Sequence, residues 1–283
     1  MRFQSVIKWN GSKRQQSEDI IKYFPNYINT YYEPFCGGCS VVYQLLNSIP
    51  EYHTYINRIV CSDINGDLID LWNTIKNDPK GLIKEYTKLW CDMYNLSDRQ
   101  DKRKFYEEVR EEFNQTRSPY LFLFLNRTMK NGIPRYNKWG LFNQPLHLSR
   151  DGITPDKLQK ILYDWSSLFK NNNIEFIRCD YNKILDEVDD GDFLYLDPPF
   201  ESSRTTGKYF GSIDYNNLFD RLVMLNLEGI KFALSFDNEH DNIIVPSECY
   251  ENKYVLKSYL GGYIPTLNTI DKSVLVENLY VNC

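Results

Sequence analysis

The chain has 283 residues and a net charge of −5, and 42% of its residues are hydrophobic and 25% charged. This composition excludes a mainly disordered chain and is typical of a globular protein of one or two domains. The longest apolar runs, such as residues 120–125, are far shorter than the roughly 20 residues that span a bilayer. Because the N-terminal stretch lacks the apolar core of a signal peptide and seven cysteines suit reduced thiols, the sequence predicts a cytoplasmic protein without a membrane partner.

Positive charge is concentrated in two stretches of this acidic chain. Residues 1–17 and 113–150 together hold ten lysines and arginines and no acidic residue. Such segregation suits a protein that turns one basic side toward a polyanion such as nucleic acid. Basic loops also occur for solubility, so both interpretations stay open on charge alone.

The predicted elements begin with alternating strands and helices. Strands at 30–35 and 55–64 are each followed by an amphipathic helical run, at 40–49 and 67–77. Helical spacing then continues through 81–126, and 126–152 has the Asn, Gly and Pro content of a loop or short hairpin. The remaining predicted elements are a helix at 154–171 with Thr154 as its N-cap, strands at 174–181, 192–200, 231–238 and 273–282, and a helix at 214–229.

This order of elements is typical of an α/β protein with a parallel sheet covered by helices. The alternation of strands and helices stops near residue 80 and returns near residue 170. We therefore expect one domain built from residues 1–80 and 170–283, with residues 81–169 forming a helical, basic insertion.

The most informative residues follow the strand at 192–200, which ends in Asp197-Pro198-Pro199-Phe200. Two prolines end the strand and stiffen the backbone, so the Asp197 carboxylate and the Pro198 carbonyl can both point into the crevice at the sheet edge. Together they can accept both hydrogens of an exocyclic amino group and direct its lone pair at an electrophile. Phe200 can stack on the ring that carries the amine. A simple strand-terminating turn is the alternative.

Two further features favour a nucleotide-type site. Gly37 and Gly38 lie between the first strand and its helix, where a ligand can approach the backbone closely. Asp63 ends the next strand, where a carboxylate can bind the two ribose hydroxyls of an adenosine moiety. Three such features at three strand ends are stronger than any one alone.

In this combination the residues resemble the Dam-like, alpha-class DNA adenine-N6 methyltransferases. The KWxGxK motif of that family stands here as residues 8–13, its glycine loop as 33–38, its ribose acid as Asp63 and its catalytic tetrapeptide as 197–200. Segments beginning at Asn126, Asn131, Arg135 and Gly140 are similar to its target-recognition pattern NR, NG, RxN and GxFN. The resemblance covers nearly the whole chain.

The resemblance implies a Rossmann-like fold that binds S-adenosylmethionine, releases S-adenosylhomocysteine and flips the target adenine out of double-stranded DNA. It also implies a target-recognition domain at 81–169. Its implied catalytic residues are Asp197, Pro198 and Phe200, and its implied cofactor-binding residues are Trp9, Lys13, Phe35, Gly37, Gly38, Asp63 and Asp180. Its implied DNA-binding residues are Arg127, Lys130, Asn131, Arg135, Asn137 and Lys138, of which Arg135 is the candidate for a guanine contact, and Arg127 and Lys138 for phosphate contacts or structural roles.

Several alternatives remain at the level of the sequence. Cys36 and Cys39 form half of a zinc motif, but no second half follows, so we expect no metal. Other amino methylations (RNA adenine, cytosine-N4 or protein glutamine) and a non-catalytic DNA-binding module are the rival functions. Lys130 and Pro134 depart from the pattern of GATC-specific members, so the recognition sequence is open. A monomer is expected, and a restriction-modification role with a cognate endonuclease stands beside an orphan or phage role.

Overall fold

The protein is described here by a computed structural model that covers residues 3–52, 55–132, 134–147, 149–199, 213–236, 243–264 and 269–283. Its strands are β1 Tyr27–Glu33, β2 Tyr55–Asp63, β3 Ile174–Arg178, β4 Phe193–Leu196, β5 Lys231–Phe236, β6 Asn252–Ile264 and β7 Thr269–Val281. Its α-helices are α1 Ser17–Ile20, α2 Ser40–Tyr52, α3 Gly66–Asn77, α4 Pro79–Tyr94, α5 Arg99–Thr116, α6 Pro119–Thr128, α7 Pro155–Lys170, α8 Tyr181–Glu187 and α9 Tyr215–Leu227.

The strands form one seven-stranded sheet in the order β3-β2-β1-β4-β5-β7-β6. Strands β1 to β5 are parallel to one another, whereas β7 runs antiparallel between β5 and β6. From β1 the chain first builds the sheet outward through β2 and β3 and then restarts on the other side with β4. In open α/β sheets, ligands bind in the crevice beyond the carboxyl ends of the strands at such a reversal. The topology therefore predicts a ligand site at the carboxyl ends of β1 and β4.

Helices cover both faces of the sheet. Successive strand residues point to opposite sides, so apolar side chains on both faces can be buried beneath helices. On β1, Tyr31 packs into the core beneath the larger group of helices, while Tyr32 packs into the core beneath α8 and α9. The same alternation separates Ile59 from Val60 on β2. The predicted Rossmann-like α/β fold is confirmed.

Residues 81–169 add helices to the first of these cores. Tyr86, Phe113 and Phe124 are fully buried in the same cluster as Trp72, which lies on α3. Tyr120 on α6 donates a hydrogen bond of 2.8 Å to Asp78, the N-cap of α4, whose side chain also accepts from the Gly81 amide. The core is thus continuous from the sheet into this region, and its division from the rest of the chain stays a prediction.

The structure differs from the predicted elements in several places. The short helices α1 and α8 were not predicted. Strand β6 was not predicted; it lies at the edge of the sheet, and over its described side chains, residues 252–257, only Leu256 is buried. An edge strand with so little alternation carries a weak sequence signal. Thr154 does occupy the N-cap position of α7, but its side chain makes no capping hydrogen bond. In the described part of the chain, no helix combines the length and the apolarity that crossing a membrane requires.

Candidate active site

One cavity lies at the reversal of the sheet, between the ends of β1 and β4. It is lined by segments 9–13, 33–38 and 179–181, by Asp63 and Ile64, and by residues 197–199. Trp9, Lys13, Phe35, Gly37, Gly38, Asp63, Asp180, Asp197 and Pro198, all predicted from the sequence, line it together. Segments that are far apart in the sequence thus share one site.

The glycine turn after β1 is shaped by two tryptophans. Gly37 has a φ of 42°, and a Cβ added there would lie 2.7 Å from Trp9 Nε1. The carbonyl of Gly37 accepts a hydrogen bond of 2.9 Å from Trp72 Nε1 on the other side. Only glycine combines this conformation with so close a contact. Trp9 therefore shapes the turn directly, and Trp72 holds it from below.

Asp63 ties the glycine turn to the loop after β2. Its carboxylate accepts hydrogen bonds from the amide of Gly37 at 3.2 Å and from the amide of Asn65 at 2.9 Å. Burial raises the pKa of Asp63 to about 6, although these backbone hydrogen bonds act in the opposite direction. A carboxylate desolvated at a cavity wall is suited to bind a ligand's hydroxyl groups.

Asp197 forms an ion pair with the cationic end of the KWxGxK motif. Lys13 Nζ lies 2.6 Å from Asp197 Oδ1 and 3.0 Å from Glu277 Oε1. Burial raises the pKa of Asp197 to about 6; Lys13 lowers it and Glu277 raises it. Lys13 was predicted to contact the cofactor; in the structure it lines the cavity and bridges two carboxylates there.

Glu33 is a second buried acid of the same cavity. Its Oε2 accepts hydrogen bonds from the Tyr31 hydroxyl at 2.8 Å and from the Val42 amide at 3.1 Å. Burial raises the pKa of Glu33 to about 8. At neutral pH this side chain is therefore mainly protonated and joins the end of β1 to the start of α2.

The cavity also has an apolar wall. Phe35 and Tyr181 pack with their ring centroids 5.2 Å apart, and Ile64, which is 44% exposed, lies beside them. Asp180 lines the cavity as well, but its Oδ1 accepts from the amide of Asn182 and caps α8. The wall offers a flat ligand ring an aromatic surface, and Asp180 also has a structural role as the N-cap of α8.

Some of these residues were missed in the sequence. Ile64 directly follows Asp63, and Tyr181 directly follows the predicted residue before it. Their proximity in the chain was therefore an available signal. Trp72 and Glu277 had none, because only the packing of α3 and β7 brings them to the site. Cys36 and Cys39 are buried, and burial raises the pKa of Cys36 to about 12. Cys39 has a left-handed φ of 51°.

The predicted recognition residues at 135–138 lie on a tight hairpin. Tyr136 and Phe142 face each other in an antiparallel bridge, and Asn137 Oδ1 accepts from the amides of Trp139 and Leu141 at 3.0 Å each. Arg135 and Lys138 are exposed, and Lys138 Nζ lies 4.5 Å from the centroid of the Trp139 ring. Asn137 thus builds the turn, while Arg135 and Lys138 present their charges to solvent.

Two contacts fasten this hairpin to the rest of the protein. Asn114 on α5 accepts from the amide of Phe142 at 2.7 Å and donates to its carbonyl at 3.0 Å. Asp67, in the first turn of α3, accepts from the Tyr136 hydroxyl at 2.7 Å and pairs with Arg117 at 3.1 Å. Asp67 is four residues beyond Asp63, so the hairpin is fastened next to the cavity.

The NR and NG segments contact the N-terminal strip, residues 5–13, which carries the KWxGxK motif. Asn126 is fully buried; its Oδ1 accepts from the Lys8 amide at 2.8 Å and its Nδ2 donates to the Lys8 carbonyl at 3.0 Å. Arg127 donates to the carbonyls of Ser5 and Val6, and a Cβ on Gly132 would lie 2.8 Å from the Cβ of Lys8. Of the two roles left open for Arg127, these contacts favour the structural one.

A basic cleft lies on the other side of this strip. Lys8, Arg14, Arg127, His147 and Arg150 line it together with Trp9 and the residues that follow it. Burial, Arg127 and Arg150 lower the pKa of Lys8 to about 8. The two basic stretches of the sequence therefore meet in space, directly beside the cavity.

The predicted residues Lys130 and Asn131 lie in the turn that follows α6. Lys130 is exposed in a short 3-10 helix, Lys130–Gly132, and its backbone carbonyl accepts from Gln144 at 2.6 Å. Asn131 lies in the same turn, and its side chain, like the whole of Phe200, is outside the described residues. Among the described residues, no group of three or more potential ligands could hold a metal ion.

Comparison with known proteins identifies this arrangement. The sequence profile of the D12 class N6 adenine-specific DNA methyltransferases matches residues 9–270. The Type II methyltransferase M.MjaIII of Methanocaldococcus jannaschii is 32% identical over 100% of this chain and 94% of its own length. A DNA adenine methylase of Haemophilus influenzae is 31% identical over 75% of this chain and 68% of its own.

Among solved structures, the rRNA methyltransferase aviRa of Streptomyces viridochromogenes is 12% identical, covers 95% of this chain and 80% of its own length, and has a TM-score of 0.36. The profile, the two relatives and the geometry agree. The chain belongs to the D12 class of N6 adenine-specific DNA methyltransferases, and its activity is the methylation of adenine in DNA.

Proposed function

We propose that the cavity binds S-adenosylmethionine and that the adenine is methylated there after flipping out of the duplex. The observation that supports this most directly is the convergence of the glycine turn, Asp63 and the Asp197–Lys13 ion pair on one cavity. The residues present fit the cofactor. The turn at Gly37 has no room for a side chain, Asp63 offers a carboxylate for two hydroxyls, and Phe35 and Tyr181 offer an aromatic wall for an adenine ring.

When bound, the cofactor supplies a methyl group activated by a sulfonium centre. Asp197 and the Pro198 carbonyl accept hydrogen bonds from the two N–H groups of the target amino group and orient its lone pair. Because Lys13 occupies Oδ1 of Asp197 at 2.6 Å, the amine is expected to use Oδ2. Such catalysis depends on position and charge placement, without a covalent enzyme intermediate.

The amino nitrogen must lose one proton as its new bond to carbon forms. With a pKa of about 6, Asp197 is mainly ionised at neutral pH and can accept that proton from the nitrogen. Phe200 is proposed to stack on the flipped base, a role that stays a prediction.

We further propose that the duplex lies across the basic cleft and reaches the hairpin. Lys8, Arg14 and Arg150 supply positive charge for the phosphates, and Arg135 reads a base edge from the hairpin. Residues 81–169 then form the target-recognition unit. Arg127 supports the cleft through its contacts with residues 5 and 6.

The proposal also covers the oligomeric state, the location and the biological role of the protein. A monomer suffices in this proposal, because the proposed cofactor and catalytic residues line one cavity of one chain. A cytoplasmic location suits a DNA substrate and seven free thiols. The match to a Type II methyltransferase supports a restriction-modification role with an endonuclease that forms no stable complex; an orphan or phage role is the second candidate.

The test combines binding with sequencing of the product. S-adenosylmethionine should raise the melting temperature, as a ligand that binds the native state does. Incubation with unmethylated genomic DNA should then yield N6-methyladenine confined to one short motif. Asp197→Ala should still show the thermal shift but leave the DNA unmodified. Methylation by that variant, or the absence of any thermal shift in the wild type, would overturn the proposal.

A further inference from the structure

A buried group of three charges lies at the wall of the cavity. Lys13 stands between Asp197 and Glu277, at 2.6 and 3.0 Å, and the side chains of the three residues are 6%, 19% and 11% exposed. Asp197 and Lys13 line the cavity. Glu277 does not line it, but its carboxylate pairs with Lys13. Glu277 comes from β7, a strand to which the sequence analysis assigned no function.

The charges of this group do not cancel. Burial lowers the pKa of Lys13, but Asp197 and Glu277 outweigh this effect and raise it above the ordinary value of lysine, so Lys13 is a cation. With both carboxylates ionised, the group carries one net negative charge. Glu33 adds none at neutral pH, because burial raises its pKa to about 8. Without Glu277, the ion pair of Asp197 and Lys13 would be neutral.

An uncompensated buried charge is unfavourable, and an opposite charge bound nearby relieves it. A cationic ligand in the cavity would therefore gain from the excess negative charge, while a neutral ligand of the same shape would not. The methyl donor carries a sulfonium charge that the product, a thioether, has lost.

We propose that Glu277 is a positioning residue that holds Lys13 against Asp197 and supplies the net negative charge of this group, which strengthens the preference of the site for the cationic methyl donor over its neutral product. This inference rests on the proposed binding of S-adenosylmethionine in the cavity. It assigns a function to β7 in addition to its place in the sheet.

The test compares the dissociation constants of S-adenosylmethionine and S-adenosylhomocysteine by calorimetry at pH 7, without DNA. Glu277→Gln should weaken binding of S-adenosylmethionine about tenfold, equivalent to about 1.4 kcal/mol, and that of S-adenosylhomocysteine less than twofold. Glu175→Gln is the matched control, because it removes a carboxylate from the exposed Arg58 ion pair on the neighbouring strands β2 and β3. It should change neither constant.

A double variant separates charge from packing. Lys13→Met with Glu277→Gln removes one charge of each sign, leaves Asp197 as the net negative charge, and should restore the wild-type ratio of the two constants even where both ligands bind more weakly. This readout also decides the matter where Glu277→Gln alone does not fold.

The two proposals fail in different ways. An equal loss of affinity for both ligands in Glu277→Gln, or no loss for either, would overturn the role of Glu277. A double variant whose ratio differs from that of the wild type would do so as well. A wild-type protein that binds neither ligand would instead overturn the proposed cofactor site.

Discussion

Replacement of Asn126 by alanine should weaken cofactor binding, although the family resemblance places this residue in the target-recognition segment. The side chain is fully buried and makes two hydrogen bonds, of 2.8 and 3.0 Å, to the backbone of Lys8. Each buried backbone group left without a partner costs about 1–3 kcal/mol. Because Lys8 is only half-buried and water can replace part of this loss, we expect the free energy of unfolding to fall by about 2–3 kcal/mol.

Part of this loss should appear in cofactor affinity. Lys8 is followed directly by Trp9, which shapes the glycine turn, and the same strip ends at Lys13. A loosened strip must be ordered again when the cofactor binds, and about 1.4 kcal/mol of that cost corresponds to a tenfold weaker affinity. Urea unfolding measures the stability, and calorimetry with S-adenosylmethionine in the absence of DNA measures the affinity.

Asn114→Ala provides a matched control for this prediction. Asn114 makes the same pair of hydrogen bonds, at 2.7 and 3.0 Å, to the backbone of Phe142 in the hairpin. Its loss should cost similar stability and weaken DNA binding, while cofactor affinity stays as in the wild type. The reasoning would be refuted if Asn126→Ala kept wild-type cofactor affinity and altered only the selection of DNA sequence.

Four other outcomes are expected. Asp197→Asn should reduce methylation at least a thousandfold at saturating cofactor, while the dissociation constant for DNA stays within about threefold. The dissociation constant for S-adenosylmethionine should rise about tenfold, because the group with Lys13 and Glu277 loses its net negative charge; near-wild-type single-turnover rates would contradict the assigned role. Since burial raises the pKa of Asp197 to about 6 and the ionised form is required, kcat/KM should fall as the pH drops through about 6, and a flat profile from pH 5 to 7 would exclude that requirement. Arg135→Ala should reduce discrimination at one base position by about 1–3 kcal/mol, measured on substrates with single changes, with Lys138→Ala as the control whose selectivity is kept. Gly37→Ala combines the left-handed φ of 42° with a Cβ 2.7 Å from Trp9 Nε1, so it should abolish the cofactor-induced thermal shift and lower the free energy of unfolding by at least about 1–2 kcal/mol; an unchanged shift would show that the turn adapts.

The sequence by itself determined the parts of this protein that depend on local patterns. Strands and helices of the parallel sheet follow from apolar alternation and helical spacing, which act over a few residues. The chemistry at Asp63 and Asp197 was also visible, because a carboxylate directly after a buried strand must lie at the sheet edge. Strand β6 was not predicted, because its described side chains are almost all exposed at the edge of the sheet.

Only the tertiary structure decided which distant residues complete the site and what they contact. Glu277 reaches Lys13 across 264 positions of chain because β7 enters the sheet beside β5. Asn126 and Arg127 were interpreted as recognition residues, yet their side chains bind the backbone of residues 5–8. Local patterns carry no information on such contacts, because hydrogen bonds and ion pairs between distant segments depend on the packing of the whole chain.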